Sequence, residues 1–407
     1  MSRAPRKRWH RQPLKFYRRP ARHGPVCAAA RRSRWDPSQG RTPGSVTRHG
    51  HARAAVVFGA PSGNSEASDI ALAQDRAMRN PVLIELTRGT LVESVHTGAM
   101  ALARSTGELV GTVGDVLAPV FPRSAIKPLQ AIAFVERGAL DRFGCGAREI
   151  ALASASHAGT PAHTATVQSI LQRAGLGREA LACGVHEPMD PGAARQLIRT
   201  RAQASTLHHN CSGKHAAMLA TAVHEGEPTD AYWQPNHPVQ LRIARVLEEL
   251  SGCRLGPEVR GIDGCSVPNW AMPLRALAQA YARFAVGQAM GQVRARACRR
   301  IAEACWAHPD LVAGPGRLDT RVMSLLQGKV LIKSGAEGVY CGALPELGLG
   351  FAVKIDDGAK RAAEAAVLCV IGRFYPEAQD DSSTSLVNWQ GLEVGAIRTT
   401  SAFEGLG

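Results

Sequence analysis

The chain has 407 residues, 45% hydrophobic and 20% charged, a balance that suits a globular protein with a sizeable core and excludes disorder throughout. A formal charge of +15, read whole, points to a nucleic-acid binder. The charge is concentrated, however: residues 1–50 carry 14 Lys and Arg against the single acid Asp36, and the remainder is close to neutral.

Residues 1–79 are rich in Arg, Pro, Gly, Ser and His with no sustained apolar period, which predicts a basic disordered arm. Three readings of it compete: an organelle-targeting leader, a tail making non-specific contact with nucleic acid, or a start codon placed too early. Met78 stands just before NPVLIEL, the first convincing strand, and is a natural alternative start. No apolar run approaches the 18 or so residues of a membrane span, and residues 1–40 lack the apolar stretch of a secretory signal. The ten cysteines show no disulfide spacing, so they are expected reduced in a cytoplasm.

From Asn80 the pattern changes. VLIELTRGTLVESVHTGAMALA and STGELVGTVGD alternate around turns, which predicts antiparallel pairing over 81–118. Residues 124–308 read as mostly helical: behind Pro238, residues Val239, Ile243, Val246, Leu247 and Leu250 fall at helical spacing, and Leu274, Leu277, Ala278 and Tyr281 form another such face. After Pro315, KVLIKSGAEGVYCGAL and GLGFAVKIDDG read as two strands, followed by a helix in KRAAEAAVLCVIGRF. The expectation is an α/β body over 80–373. An antiparallel sheet lobe is drawn from both chain ends (80–122 and 310–373), a helical lobe is inserted (123–309), and 374–407 are packed on or trail the body. A cleft between lobes favours a small-molecule site.

Within this frame, Ser124-Ala125-Ile126-Lys127 places a hydroxyl and an amine one helical turn apart. A neutral amine there can take the serine proton and make it a nucleophile. Pro128 lacks the N–H that would bond the Ser124 carbonyl, so Ser124 is expected at the very start of a helix, where free N–H groups can hold an oxyanion. Lys333-Ser334-Gly335 follows an apolar strand. S-x-x-K and a later K-[ST]-G form the pairing of serine β-lactamases and penicillin-binding proteins. Their third element is missing, and Ser154-Ala155-Ser156-His157 stands in its place. Asn210-Cys211-Ser212-Gly213-Lys214-His215 fails as a phosphate loop, because its first glycine and final Ser/Thr are absent. Cys211, Asp263 and Cys265 read either as metal ligands or as buried free thiols. His96, His157, His163, His186 and His215 are further possible ligands or bases, none with a primary role.

Together the blocks RGTLVESVHTG, PRSAIKPLQ, SASHAGTPAH, NCSGKHAAML, IDGCSVPNWAMPL, GRLDT, KSGAEGVY and AVKIDDGAKRAAE resemble, in that order, the L-asparaginase II family of the Rhizobium etli inducible type, and NWQGLEVGAIR near the C-terminus is similar too. The resemblance implies a serine β-lactamase/glutaminase-like fold, hydrolysis of L-asparagine to L-aspartate and ammonia, and a homodimer. It carries catalytic roles onto Ser124, Lys127, Ser156 and Lys333, and zinc onto Cys211, Lys214 and Cys265 with Asp263 as polar neighbour. Arg123, Lys214 and Asp263 are candidates for binding the substrate. Thr160 departs from the pattern, which has an acid there. Which Ser–Lys pair supplies nucleophile and base stays open, as does asparagine against glutamine or a β-lactam. A nucleic-acid-binding protein with a degenerate hydrolase body is the reading from another class.

Overall fold

Alternation and β-branched residues after Asn80 produce the strand β1 (Val82–Arg88), which turns at Gly89 into the 14-residue β2 (Leu91–Arg104). In this computed structural model residues 80–287, 290–378 and 385–405 are described, and the arm expected at 1–79 lies outside them. The first half of β2 pairs with β1. Its second half, where Ala99–Ala103 are buried, pairs with β3 (Leu109–Val113) and with a strand from the far end of the chain.

That end supplies β4 (Leu331–Ser334), β5 (Val339–Leu344) and β6 (Leu349–Ile355), then β7 (Ser385–Val387) and β8 (Glu393–Thr399). The strands order as β7-β8-β1-β2-β6-β5-β4 with β3 on β2, and every pairing is antiparallel. The sheet is therefore built from both chain ends around an inserted helical layer, as the sequence pattern implies. The C-terminal stretch joins the sheet: β8 pairs with β1, setting Ile84 opposite Thr399.

The helical layer comprises Lys127–Val135, Ala147–Ala153, Pro161–Arg173, Ser212–Glu225, Pro238–Ser251 and Gln292–Ala307. Lys127–Val135 is buried along its whole length, as its almost uniformly apolar sequence requires. Pro238 opens its helix at the first turn, and Gly252 with φ 70° closes it. Helix Leu274–Val286 lies against β2 and β6. Its face of Leu274, Leu277, Ala278 and Tyr281 is wholly covered. Helix Lys360–Gly372 packs on β1, β6 and β8. One contiguous apolar core joins sheet and helices. Among the described residues no helix is long and apolar enough to cross a membrane, and every described cysteine is a free thiol.

The fit of helix Leu274–Val286 on the sheet depends on Gly350. A Cβ there would collide with the Ala278 carbonyl and the Ala282 amide, which are helix backbone and cannot swing aside. Gly350→Ala is expected to cost about 1–3 kcal/mol, the usual penalty of overpacking, read as a lower urea midpoint. An unchanged midpoint would mean that helix and strand do not touch through backbone at this position.

Candidate active site

The turn carrying Ser124 is fixed by the proline that follows it. Pro128 cannot donate to the Ser124 carbonyl, and that oxygen instead accepts the Lys127 N–H, closing a 3-10 turn over Arg123–Ile126 before the helix proper. Ala125 N–H donates to Pro122 O at 3.0 Å, and the buried Tyr281 hydroxyl donates to the Ala125 carbonyl. Gly335, after Lys333 and Ser334, allows the next strand end to approach: a Cβ there would stand 2.8 Å from the Pro122 oxygen. Ser124 is half-buried, and its hydroxyl makes no hydrogen bond among the described residues.

Lys127 is fully buried. Its Nζ donates to Ala155 O at 2.7 Å, contacts Ser156 Oγ at 2.9 Å and reaches Asn210 O at 3.5 Å. As an ammonium it donates to all three oxygens. As a neutral amine it donates to the two carbonyls and accepts from the Ser156 hydroxyl, the geometry of a base beside its proton source. The lysine of the S-x-x-K motif is thus hydrogen-bonded to the serine of the SASH block rather than to the serine of its own motif. Ser156 is held by its N–H donating to Val312 O at 2.9 Å, and the next residue, His157, donates its N–H to Asn210 O.

Lys333, at the end of β4, is also fully buried. Its Nζ donates to Ser334 O at 2.8 Å and stands 4.0 Å from Asp319 Oδ1, with no hydrogen bond to Ser124 or Ser156. Burial pulls its pKa down to about 7; Asp319 opposes the shift, and Lys127 and Arg317 add to it. Asp319 accepts Ser334 N–H at 2.8 Å and the Tyr340 hydroxyl at 2.6 Å. Burial works against its charge, yet Lys333, Tyr340 and Ser334 hold its pKa below the ordinary carboxylate value. Asp319 lies in the GRLDT block, whose motif match was visible but whose carboxylate had no assigned role.

A second buried cluster joins Cys211, Lys214, Asp263 and Cys265. The Cys211 hydrogen bond pulls Cys265 down to about 5 against the effect of burial, with Lys214 assisting. That same bond, together with burial, pushes Cys211 up. Lys214 is raised although burial opposes it, because Cys265, Cys211 and Asp263 surround it. Arg123 Nε donates to Asp263 Oδ1 at 2.7 Å and ties this cluster to the Ser124 turn. Arg123, Ser266 and Glu337, three of the non-glycine residues with positive φ, border these groups, at φ 52°, 75° and 58°. Such strain gathers where surrounding contacts over-determine the backbone.

Ser124, Ser156, Asn210, Arg317 and Ser334 line a single cavity of about 240 Å3. Arg123, Lys214 and Asp263, the candidates for binding substrate, do not line it. Arg123 borders a separate depression with Phe121, Ile262 and Glu337, and Lys214 and Asp263 are committed within the thiol cluster. The histidines hold structural partners: His96 with Asp357, His157 with Ser212, His163 with Thr160, His186 with the Asn210 amide, and His215 with Tyr232.

A family profile, L-asparaginase II, matches residues 84–399, well over half of the chain. The chain belongs to the L-asparaginase II family. Its reaction class is accordingly amide hydrolysis, and the enzyme is an amidohydrolase. No curated protein matches in sequence. Among solved structures the amidohydrolase is similar to Mglu in its glutamate form, at 16% identity, covering 75% of this chain and 67% of that one with TM-score 0.41. It is also similar to a beta-lactamase from Mycobacterium bovis, at 15% identity over 75% of this chain and 99% of that one with TM-score 0.34. Simvastatin synthase LovD from Aspergillus terreus matches at 10% identity over 78% and 100% of the two chains with TM-score 0.32.

Zinc, implied by the family resemblance, finds a compatible donor set here. Two buried thiols stand together, the surroundings of Cys265 favour its ionised form, and soft thiolates suit zinc. Among the described residues no group of three or more His, Cys, Asp or Glu converges as a metal site.

The Lys333 shift gives a signed prediction. In the unfolded chain its amine titrates near its ordinary value of about 10.4, so between pH 7 and 10 the unfolded state binds the extra proton. Stability from this group therefore rises with pH across that window, by at most about 1.4 kcal/mol per pH unit, and is lost as pH falls towards 7. Between pH 7 and pH 9 the parent is expected to gain stability relative to Lys333→Met, which lacks the titrating amine. Urea midpoints at both pH values check it, and a pH-independent difference would refute the shift.

Proposed function

We propose that this amidohydrolase converts L-asparagine to L-aspartate and ammonia through a serine ester, and we assign it to the inducible type of the family on the order of its sequence blocks. The supporting observation is that two serine hydroxyls open into one small cavity, with the Lys127 amine 2.9 Å from one and one turn along the chain from the other. The cavity, at about 240 Å3, is below the roughly 300–1,000 Å3 of pockets for drug-sized ligands, which favours a single amino-acid amide.

In the proposed path Ser124, whose hydroxyl is uncommitted, attacks the side-chain amide carbon. Its proton passes to the Lys127 amine, and the developing oxyanion is met by N–H groups at the turn and helix start. Lys127, with Ser156 as relay, returns a proton to the amide nitrogen. The C–N bond breaks, ammonia leaves, and the aspartyl ester remains on Ser124. Water then attacks the ester, giving its proton to Lys127, and L-aspartate and the free Ser124 hydroxyl are restored. Lys333, its Nζ held by Ser334 O, is assigned as the second lysine of the site. Lys214, Cys211 and Cys265 would hold zinc, whose charge would fix two thiolates and an amine as one unit. The enzyme is proposed to pair as a homodimer, tested by sedimentation.

Ser124→Ala is expected to remove ammonia release by several orders of magnitude, as nucleophile and base act as a unit. Acid-quenched enzyme examined by mass spectrometry should carry the aspartyl ester on Ser124. An ester on Ser156 reverses the two serines, and full activity in both Ser124→Ala and Ser156→Ala ends the acyl-enzyme reading. Glutamine, one methylene longer, is expected to be the poorer amide by roughly 10- to 200-fold in kcat/KM. Elemental analysis should find zinc near one per chain, lost in Cys211→Ala and Cys265→Ala; metal-free native protein would leave the cysteines a structural pair.

A further inference from the structure

We propose that Arg317 anchors the α-carboxylate of the substrate, an inference that rests on the amide-hydrolase reading of the cavity. Arg317 lines the same cavity as Ser124 and Ser156, and it stands immediately before helix Leu318–Leu325, where the chain enters from Gly316. Its Nε is buried and has no hydrogen-bond partner among the described residues. A buried guanidinium N–H without an acceptor is unfavourable, and such a group is ordinarily matched by a ligand or water.

The carboxylates nearby are already engaged. Asp319, two residues on, is committed to Ser334 N–H, the Tyr340 hydroxyl and Lys333. Glu337, in the same cavity wall, faces Arg123 at 3.9 Å. The other cations near the serines are engaged as well: Arg123 by Asp263, Lys127 and Lys333 by carbonyl oxygens, Lys214 by the thiol cluster. Lys360, on the cavity rim, is paired with Glu364 at 3.2 Å. Arg317 is thus the guanidinium that the cavity leaves unmatched among the described residues. Its planar fork suits a carboxylate, which an amino-acid amide carries at the end opposite the bond to be broken. Arg123, expected from the sequence to do this, is replaced in that role by a residue of the GRLDT block.

Two measurements on the full chain test this. The first compares kcat/KM for L-asparagine with that for 3-aminopropanamide, the same amide lacking the α-carboxylate. The parent is expected to prefer L-asparagine by roughly 10- to 100-fold, Arg317→Met to bring the ratio near unity through KM, and Arg317→Lys to fall between. An unchanged ratio in both variants overturns the anchor, as does a loss that falls equally on both amides. The second titrates L-aspartate into the parent and both variants by calorimetry and needs no turnover. Binding weakened by a similar factor supports the anchor, and equal binding, or none by the parent, overturns it. If the parent hydrolyses neither amide but binds L-aspartate through Arg317, the hydrolysis reading fails while the anchor stands.

Discussion

A single buried amine organises this protein. Lys127 sits in a helix with no exposed side, and an amine there is tolerated only if its donors find acceptors. The acceptors come from two other segments, Ala155 and Ser156 after one helix and Asn210 before another. Satisfying Lys127 therefore means bringing three stretches of chain, far apart in sequence, to one point. The interaction that makes the interior affordable is also the one that places a base beside a hydroxyl, so stability and chemistry are served by the same contact.

Around this point charges are settled in pairs. Arg123 is held by Asp263, Lys214 by the Cys265 thiolate, and Lys333 by its neighbour's carbonyl and Asp319. Each pairing gives a buried polar group the partner that burial demands. The three strained residues, Arg123, Ser266 and Glu337, lie along this network, where ionic and backbone contacts hold them in place. The cavity beside this network is lined by Ser124, Ser156, Asn210, Arg317 and Ser334.

Much of this was legible in the sequence, because spacing encodes local geometry. The turn at Ser124, the strand carrying Lys333 and the helix opened by Pro238 follow from residue type and order. What spacing cannot encode is which distant group a side chain meets. Ser124 and Lys127 are one turn apart, but the buried amine turns to Ser156, twenty-nine residues on. Arg123 carries a charge suited to substrate, but Asp263 takes it, a pairing made only by folding. Arg317 and Asp319 sit in a recognisable block that gave no sign of which side chain faced the cavity. The apolar face of Leu274–Val286 was visible, but periodicity shows that a face is covered and not by what; β2 and β6 cover it, with Gly350 at the close approach.

The pairing of β8 with β1 has a consequence for how the molecule comes into being. During synthesis β1 emerges early, yet its partner at 393–399 follows only after some three hundred residues have been made. The same holds for the second half of β2, which waits for β6. Such distant closures make the chain a high contact-order folder, with ordering entropy spent long before the contacts that repay it. Strand edges stand bare in the interval, when helical segments can already form. The nascent chain therefore passes through a period of exposure to aggregation, and its working cavity, walled by residues from 124 to beyond 334, is among the last features to be completed.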